Sequence, residues 1–307
     1  MGVPVVSINN LTKVINGKTI IDDLSFDIYP GEVFGFLGPN GAGKTTTIRM
    51  IVGLISMTKG EVIIKGKNVA TNFEEAISEV GAIVENPEMY KFLTGYQNLI
   101  HYARMVNGVS KERIHEVVTL VGLKDRIHEK VKTYSLGMRQ RLGLAQALLH
   151  SPAVLILDEP TNGLDPAGIR EIRDYLRKLA KEEDLAIIVS SHLLSEMELM
   201  CDRIGIIQKG KLLGVQTVNE FINGDEGLLI SFELENIEKA VQVLNEQYQN
   251  YSFRMNANCL EIYLEKNEIP ILNKAFVNQN INVFAISQKP KTLEDKFLEV
   301  TGGEQLG

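Results

Sequence analysis

Short apolar runs rich in β-branched residues alternate along the chain with stretches whose apolar positions recur every three or four residues. That pattern predicts an α/β fold with a mostly parallel sheet flanked by helices. Val33–Leu37 reads as a strand that breaks into a Gly-rich loop, and Thr45–Val52 as a helix ending at Gly53. Gly60–Ile64 and Val80–Val84 read as further strands, Thr94–Val106 and Lys111–Val121 as helices. Ser135 is placed to cap a helix over Leu136–Leu149, with Met138, Leu142, Ala145 and Leu149 on one face. Val154–Leu157 is a continuous apolar strand, Pro166–Lys181 a charged helix and Ala186–Ser190 another buried strand. Arg203–Gln208 and Leu212–Val215 flank Lys209-Gly210, a hairpin turn.

The cluster Asn223-Gly224-Asp225-Glu226-Gly227 marks a boundary between a first domain over 1–222 and a second over 223–307. Beyond it, strand-like Leu228–Leu234 and Cys259–Leu264 with helical Ile237–Gln247 and Ile271–Asn278 predict a small α+β domain. A length of 307 residues suits two domains, and 44% apolar residues suit large cores. The net charge of −7 is uneven: residues 221–307 hold 7 Lys/Arg against 13 Asp/Glu, leaving 25 against 26 elsewhere. An acidic chain with no basic block is a poor fit to nucleic acid, where phosphate neutralisation supplies the affinity. Cys201 and Cys259 lack metal-ligand spacing and read as core filler. No basic-then-apolar leader opens the chain, so a secretory signal is not expected. The longest uncharged run, Leu142–Leu157, is interrupted by His150-Ser151-Pro152 and reads as helix then strand, not as a membrane span.

Candidate chemistry sits at two places in this pattern. Gly38-Pro39-Asn40-Gly41-Ala42-Gly43-Lys44-Thr45 fits G-x-x-x-x-G-K-[ST] at every fixed position, after a strand and opening a helix. Glycines let backbone N–H groups converge on an anion, and the helix N-terminus adds partial positive charge. Lys44 would then reach the β- and γ-phosphates of ATP, the Thr45 hydroxyl would ligate Mg²⁺, and Thr46 completes the nucleotide-binding set. Val154-Leu155-Ile156-Leu157-Asp158-Glu159 puts two carboxylates at the carboxyl end of a buried strand, where open α/β sheets place their ligands. Asp158 suits the metal, and Glu159 is placed to polarise an attacking water.

Three later stretches discriminate among P-loop proteins: Tyr134-Ser135-Leu136-Gly137-Met138-Arg139-Gln140, Asn162-Gly163-Leu164-Asp165 after Glu159, and Ser191-His192. This ordered set resembles the ATP-binding-cassette (ABC) ATPases over about residues 5–220. The resemblance implies a P-loop core with a mostly parallel sheet, an antiparallel β subdomain and a helical subdomain at about 86–150. It also implies ATP sandwiched between two copies, a homodimer or pseudo-dimer, with Ser135 and Gly137 of one capping the γ-phosphate held by the other. His192 would contact that phosphate and hold the water, so Glu159, His192 and Lys44 form the implied catalytic set, and Asp165 would bridge the copies. The partner implied is a separate transmembrane permease subunit, which places the chain at the cytoplasmic face of a membrane through that partner only.

The chain departs from the family pattern in three ways. Leu136 and Met138 replace a glycine and a glutamine, and no adenine-stacking aromatic stands near Ile15. Glu85 stands where a metal-touching glutamine belongs, so it joins Thr45 and Asp158 as a metal ligand with an added negative charge. That glutamate, with Thr292-Leu293-Glu294-Asp295-Lys296-Phe297-Leu298-Glu299 and Thr301-Gly302-Gly303, resembles the branch exporting bacitracin-type and lantibiotic peptides. The segment Glu85–Gly95 is the expected docking surface for the permease, whereas His101, Tyr102 and Arg104 read as ordinary surface. A soluble cassette ATPase acting on ribosomes or nucleic acid fits less well, since one cassette without a coiled-coil insertion and an acidic charge oppose it. A small-molecule kinase leaves Ser135, Asp165 and His192 without a use.

Overall fold

Burial follows the predicted apolar runs at Val33–Leu37, Val154–Leu157 and Ala186–Ser190. The computed structural model describes residues 2–301 apart from Asn86, His192, 225–226, 249–250, 257–258 and 290–291. The chain divides into two units at Val218/Asn219, four residues ahead of the expected Gly-rich turn.

The first unit opens with β1 (Val6–Ile15), β2 (Lys18–Ile28) and β3 (Val33–Leu37), then α1 (Lys44–Ile51). There follow β4 (Lys59–Ile64), β5 (Lys67–Asn68), α2 (Phe73–Ile77) and β6 (Val80–Ile83). A helical insertion comes next: α3 (Gly95–Ala103), α4 (Lys111–Leu120) and α5 (Leu136–Ala147). The chain returns through β7 (Val154–Asp158), α6 (Pro166–Glu183), β8 (Ala186–Ser190), α7 (Leu194–Met200), β9 (Arg203–Gln208) and β10 (Lys211–Thr217). A short helix, α8 (Val218–Asn223), leads out.

Two sheets result. The larger has strand order β10-β9-β3-β8-β7-β6 and is parallel except for the β9–β10 hairpin. Its inner strands β3, β7 and β8 are buried at every position, which is why they read as unbroken apolar runs. The smaller sheet, β2-β1-β4-β5, is antiparallel. Phe26 of β2 stacks on Phe34 and Phe36 of β3, with ring centroids 5.3 and 5.7 Å apart, and this joins the two sheets through one core. The sequence pattern gave no element for 6–28, because Asn9-Asn10 interrupts the alternation. The β1–β2 register shifts between Ile8 and Leu11 there, with Asn10 at φ 49°.

Helix α5 differs from its one-faced expectation. Leu142, Ala145 and Leu149 are buried and Met138 is half-buried, but Gly143, Leu144, Ala147 and Leu148 are buried as well. The helix packs against β6, α3 and α4 at once. A Cβ on Gly143 would stand 2.7 Å from Pro87 Cβ, so its small residues permit close packing without marking a face.

The second unit consists of β11 (Leu228–Leu234), α9 (Ile237–Gln247), β12 (Phe253–Asn256), β13 (Cys259–Leu264), α10 (Ile269–Asn278), β14 (Val283–Gln288) and α11 (Leu293–Thr301). Its sheet has order β12-β13-β11-β14 and is antiparallel throughout. Phe232 and Phe276 meet edge to face at 5.5 Å inside a separate apolar core. Among the described residues no helix is long and apolar enough to cross a membrane.

Candidate nucleotide-binding site

The larger sheet sets the site by its register. Phe36 lies beside Ser190, and Ser190 beside Asp158, so the loop after β3 leaves the sheet at the level where Asp158 ends β7. The loop turns into α1 through Gly43, whose φ of 113° is one that side-chain-bearing residues rarely adopt. A Cβ there would also stand 2.3 Å from Ile21 Cδ1. No side chain caps α1. Its first N–H groups therefore face the loop, the arrangement that suits an anion.

Lys44, only 7% exposed, closes this loop from within. Its Nζ donates to the carbonyl oxygens of Gly38 at 2.5 Å and Pro39 at 3.3 Å. Burial lowers its pKa from the ordinary lysine value, while the carboxylates of Glu159 and Asp158 oppose that shift. Gly38, Pro39 and Ala42 are buried in the loop, and Asn40 and Gly41 are exposed on it. A cleft of about 610 Å³ opens here, lined by Ile20, Asn40, Gly41, Gly43, Lys44, Thr45, Thr46, Glu159 and Asn162.

Asp158, the residue before cleft-lining Glu159, does not itself line the cleft; it is buried, and Ser190 Oγ donates to its Oδ1 at 2.5 Å. The backbone N–H of Glu159 reaches both the carbonyl and the hydroxyl oxygen of Ser190, at 3.1 and 3.2 Å. Glu159 itself has φ 53°, a left-handed conformation that costs a side-chain-bearing residue on the order of 1–3 kcal/mol. The turn carries Glu159 off the strand line and into the cleft. Among the described residues no cluster of three or more His, Cys, Asp or Glu side chains can hold a metal. A cation here must complete its shell with phosphate oxygens and water, which is how Mg²⁺ is commonly held, and the hard oxygens of Thr45 and Asp158 fit it.

The remaining predicted residues lie elsewhere. Ser135 is exposed at the start of α5, where its Oγ accepts from Met138 N–H at 3.2 Å. Gly137 is half-buried, and a Cβ there would make only an ordinary contact, with Leu164 Cδ2 at 3.8 Å. Asp165 caps α6, accepting from Gly168 N–H at 2.9 Å. None of the three lines the cleft. Glu85 has φ 70° and pairs with Arg49 of α1. Ile15 is half exposed. His192 lies outside the described residues.

Sequence reasoning missed Ser190, Ile20 and Arg49, and it placed Asn162 in a motif without giving it a place in the cleft. Ser190 had a readable signal, as the last residue of an apolar strand parallel to the one ending in Asp158. Ile20 had none, because it reaches the cleft from a strand that the pattern did not reveal.

Known proteins resemble this chain in sequence and in fold. The sequence pattern of the family described as ABC transporter matches residues 21–162. The uncharacterized ABC transporter ATP-binding protein YhcH of Bacillus subtilis is 61% identical over 298 residues, 97% of this chain and 96% of that protein. The bacitracin transport ATP-binding protein BcrA of Bacillus licheniformis is 40% identical over 304 residues, 99% of each chain. A solved ATP-binding subunit of an ABC transporter superposes with a TM-score of 0.63 at 28% identity, covering 71% of this chain and 91% of that one. The chain belongs to the ABC transporter ATP-binding proteins, which are ATPases.

Proposed function

We propose that this chain energises an exporter whose membrane-spanning part is a separate subunit, and that its cargo is an antimicrobial peptide of the bacitracin type. The observation that carries the ATPase part is the facing of two walls across one cleft. One wall is an uncapped helix start bearing Lys44, and the other bears Glu159, with the Asp158 charge also acting on Lys44. The peptide assignment is supported by the likeness to BcrA, which runs through the second unit as well as the first.

Catalysis in this reading belongs largely to positioned charge. The backbone N–H groups of Gly41 to Thr45 and the Lys44 ammonium hold the β- and γ-phosphates and stabilise the charge that develops on transfer. Thr45 and Asp158, joined by Glu85, would hold Mg²⁺, which when bound neutralises phosphate charge. Glu159 polarises the attacking water, and His192 steadies that water against the γ-phosphate. Lys44 loses less charge to burial once phosphate is beside it, so nucleotide and ammonium stabilise each other.

The Ser135 end of α5 is a second anion site made of a hydroxyl, backbone N–H groups and a helix start. It is exposed and lies outside its own chain's cleft. A second copy, turned to face the first, supplies it with the γ-phosphate of the opposite P-loop, so two copies enclose two ATP. The segment between β6 and α3 offers the permease an apolar surface. Phe92 is 69% and Tyr90 44% exposed, and Tyr102 O–H, donating to Glu88 C=O at 2.6 Å, holds the segment in place. Tyr102 and His101, which touches Tyr90 edge to face at 5.1 Å, thus support a loop beyond their own helix.

The test is a pull-down of the tagged chain carrying Glu159→Gln, with ATP, from detergent-solubilised membranes of the native host. Co-purification of a hydrophobic multi-span protein is the expected result. Ribosomal or nucleic-acid partners without any membrane protein would replace the transport reading with a soluble ATPase.

A further inference from the structure

The ion pair between Arg49 and Glu85 joins the last turn of α1 to the segment two residues past the end of β6. Thr45 and Arg49 are four residues apart on α1, so they share a face and stand about 6 Å, little more than one turn, apart along the axis. In the parallel pairing of β6 with β7, Ile83 lies beside Leu157. The chain after Ile83 therefore runs alongside Asp158, and Glu85 then turns through φ 70° to meet Arg49. The side chains of the pair are 41% and 64% exposed, so solvent screens it and it adds little to folding. A solvent-screened pair of this kind is cheap to break.

We propose that Arg49 is a positioning residue that holds the Glu85 carboxylate one helical turn short of the metal-binding face formed by Thr45 and Asp158. The pair competes with the metal for Glu85, and metal with nucleotide draws the carboxylate across. Arg49 also makes the glutamate tolerable beside a triphosphate, because the pair as a whole is neutral. The inference rests on the nucleotide reading above and deepens it.

The test uses the full chain saturated with a non-hydrolysable ATP analogue, with Mn²⁺ titrated in and free Mn²⁺ read by electron paramagnetic resonance. Wild type, Arg49→Ala, Arg49→Lys, Glu85→Gln and the Arg49→Ala/Glu85→Gln double variant are compared, with thermal unfolding midpoints showing that each is folded. Arg49→Ala is expected to tighten Mn²⁺ binding by at least about threefold, the size of coupling seen between directly contacting residues. Arg49→Lys, which keeps the charge, stays near wild type. In the Glu85→Gln background Arg49→Ala changes the affinity by less than about twofold. An equal tightening in both backgrounds would make Arg49 a field charge without a grip on Glu85, and no tightening or a weakening would also overturn the proposal. Wild type that binds no nucleotide brings down the nucleotide reading itself, whereas binding without the Glu85-dependent difference brings down this inference alone.

Discussion

Two helix starts in the first unit use the same physics to different degrees of completion. At α1 no side chain caps the helix, Gly43 bends the loop over its N–H groups, and Lys44 and two carboxylates complete the surroundings. At α5 Ser135 satisfies the Met138 N–H, the residue is exposed, and no carboxylate or lysine of the cleft comes with it. In the proposed reading the first site binds a phosphate by itself. In the same reading the second is half a site, and a Cβ on Gly137 would make only ordinary contact with its own chain. The difference teaches that anion binding needs more than a helix dipole, and that an incomplete site is informative about assembly.

Four variants sharpen the contrast. Glu159→Gln is expected to reduce ATP hydrolysis by about 10²–10⁴-fold, the usual contribution of a positioned base, while leaving nucleotide binding intact in a filter assay. Lys44→Ala should lower turnover by about 10²–10³-fold and weaken nucleotide binding to the single chain, since it removes a charge aimed at the phosphates. Ser135→Ala acts differently. It should cost about 1 kcal/mol in chemical denaturation through the lost cap, and reduce hydrolysis without weakening nucleotide binding to the isolated chain. If Ser135→Ala and Lys44→Ala impair single-chain binding equally, the two helix starts belong to one site and the contrast collapses.

Gly137→Ala separates folding from function most sharply. Its Cβ meets only ordinary contact, so the helix should gain about 0.5–1 kcal/mol from the more favourable residue. Hydrolysis should nevertheless fall, because the added methyl stands where the opposite nucleotide approaches. A variant that is more stable and fully active would mean that nothing docks over Gly137. The smallest effect concerns pH. Burial lowers the Lys44 pKa, so the ammonium is lost at a pH below the ordinary lysine value of about 10.4. ATP affinity measured by fluorescence should therefore weaken on the alkaline side before an ordinary lysine would titrate. In the free protein the sign for stability is opposite: the unfolded chain binds the proton more tightly in that window, so this one group's contribution to stability rises with pH.

Much of the site was legible because its residues sit on elements with strong periodicity. Val33–Leu37 and Ala186–Ser190 emerge with the expected ends, and β7 extends one residue further to include Asp158. Their apolar runs are continuous because both faces of the sheet are covered. Pro166 likewise opened the expected helix, whereas the capping role of Asp165 was not read from the sequence. What stayed hidden depends on the tertiary structure. The first two strands carry bulges at Asn9-Asn10, where the alternation lapses. Arg49 reads as one more polar residue on a short helix until the turn after β6 brings Glu85 to it. In the second unit β14 escaped notice because Phe284 and Ile286 are exposed beside Ser287 and Gln288, so burial does not alternate along it.

The central claim is that this chain holds one complete phosphate site and half of another, and that a second copy supplies the missing half. Sedimentation velocity of Glu159→Gln, with and without saturating Mg-ATP, tests it most directly. The account predicts a single-chain species without nucleotide and a species of twice that mass with it, reverting when Ser135→Ala is added. A chain that stays monomeric at saturating Mg-ATP, or dimerises equally with and without nucleotide, would contradict it.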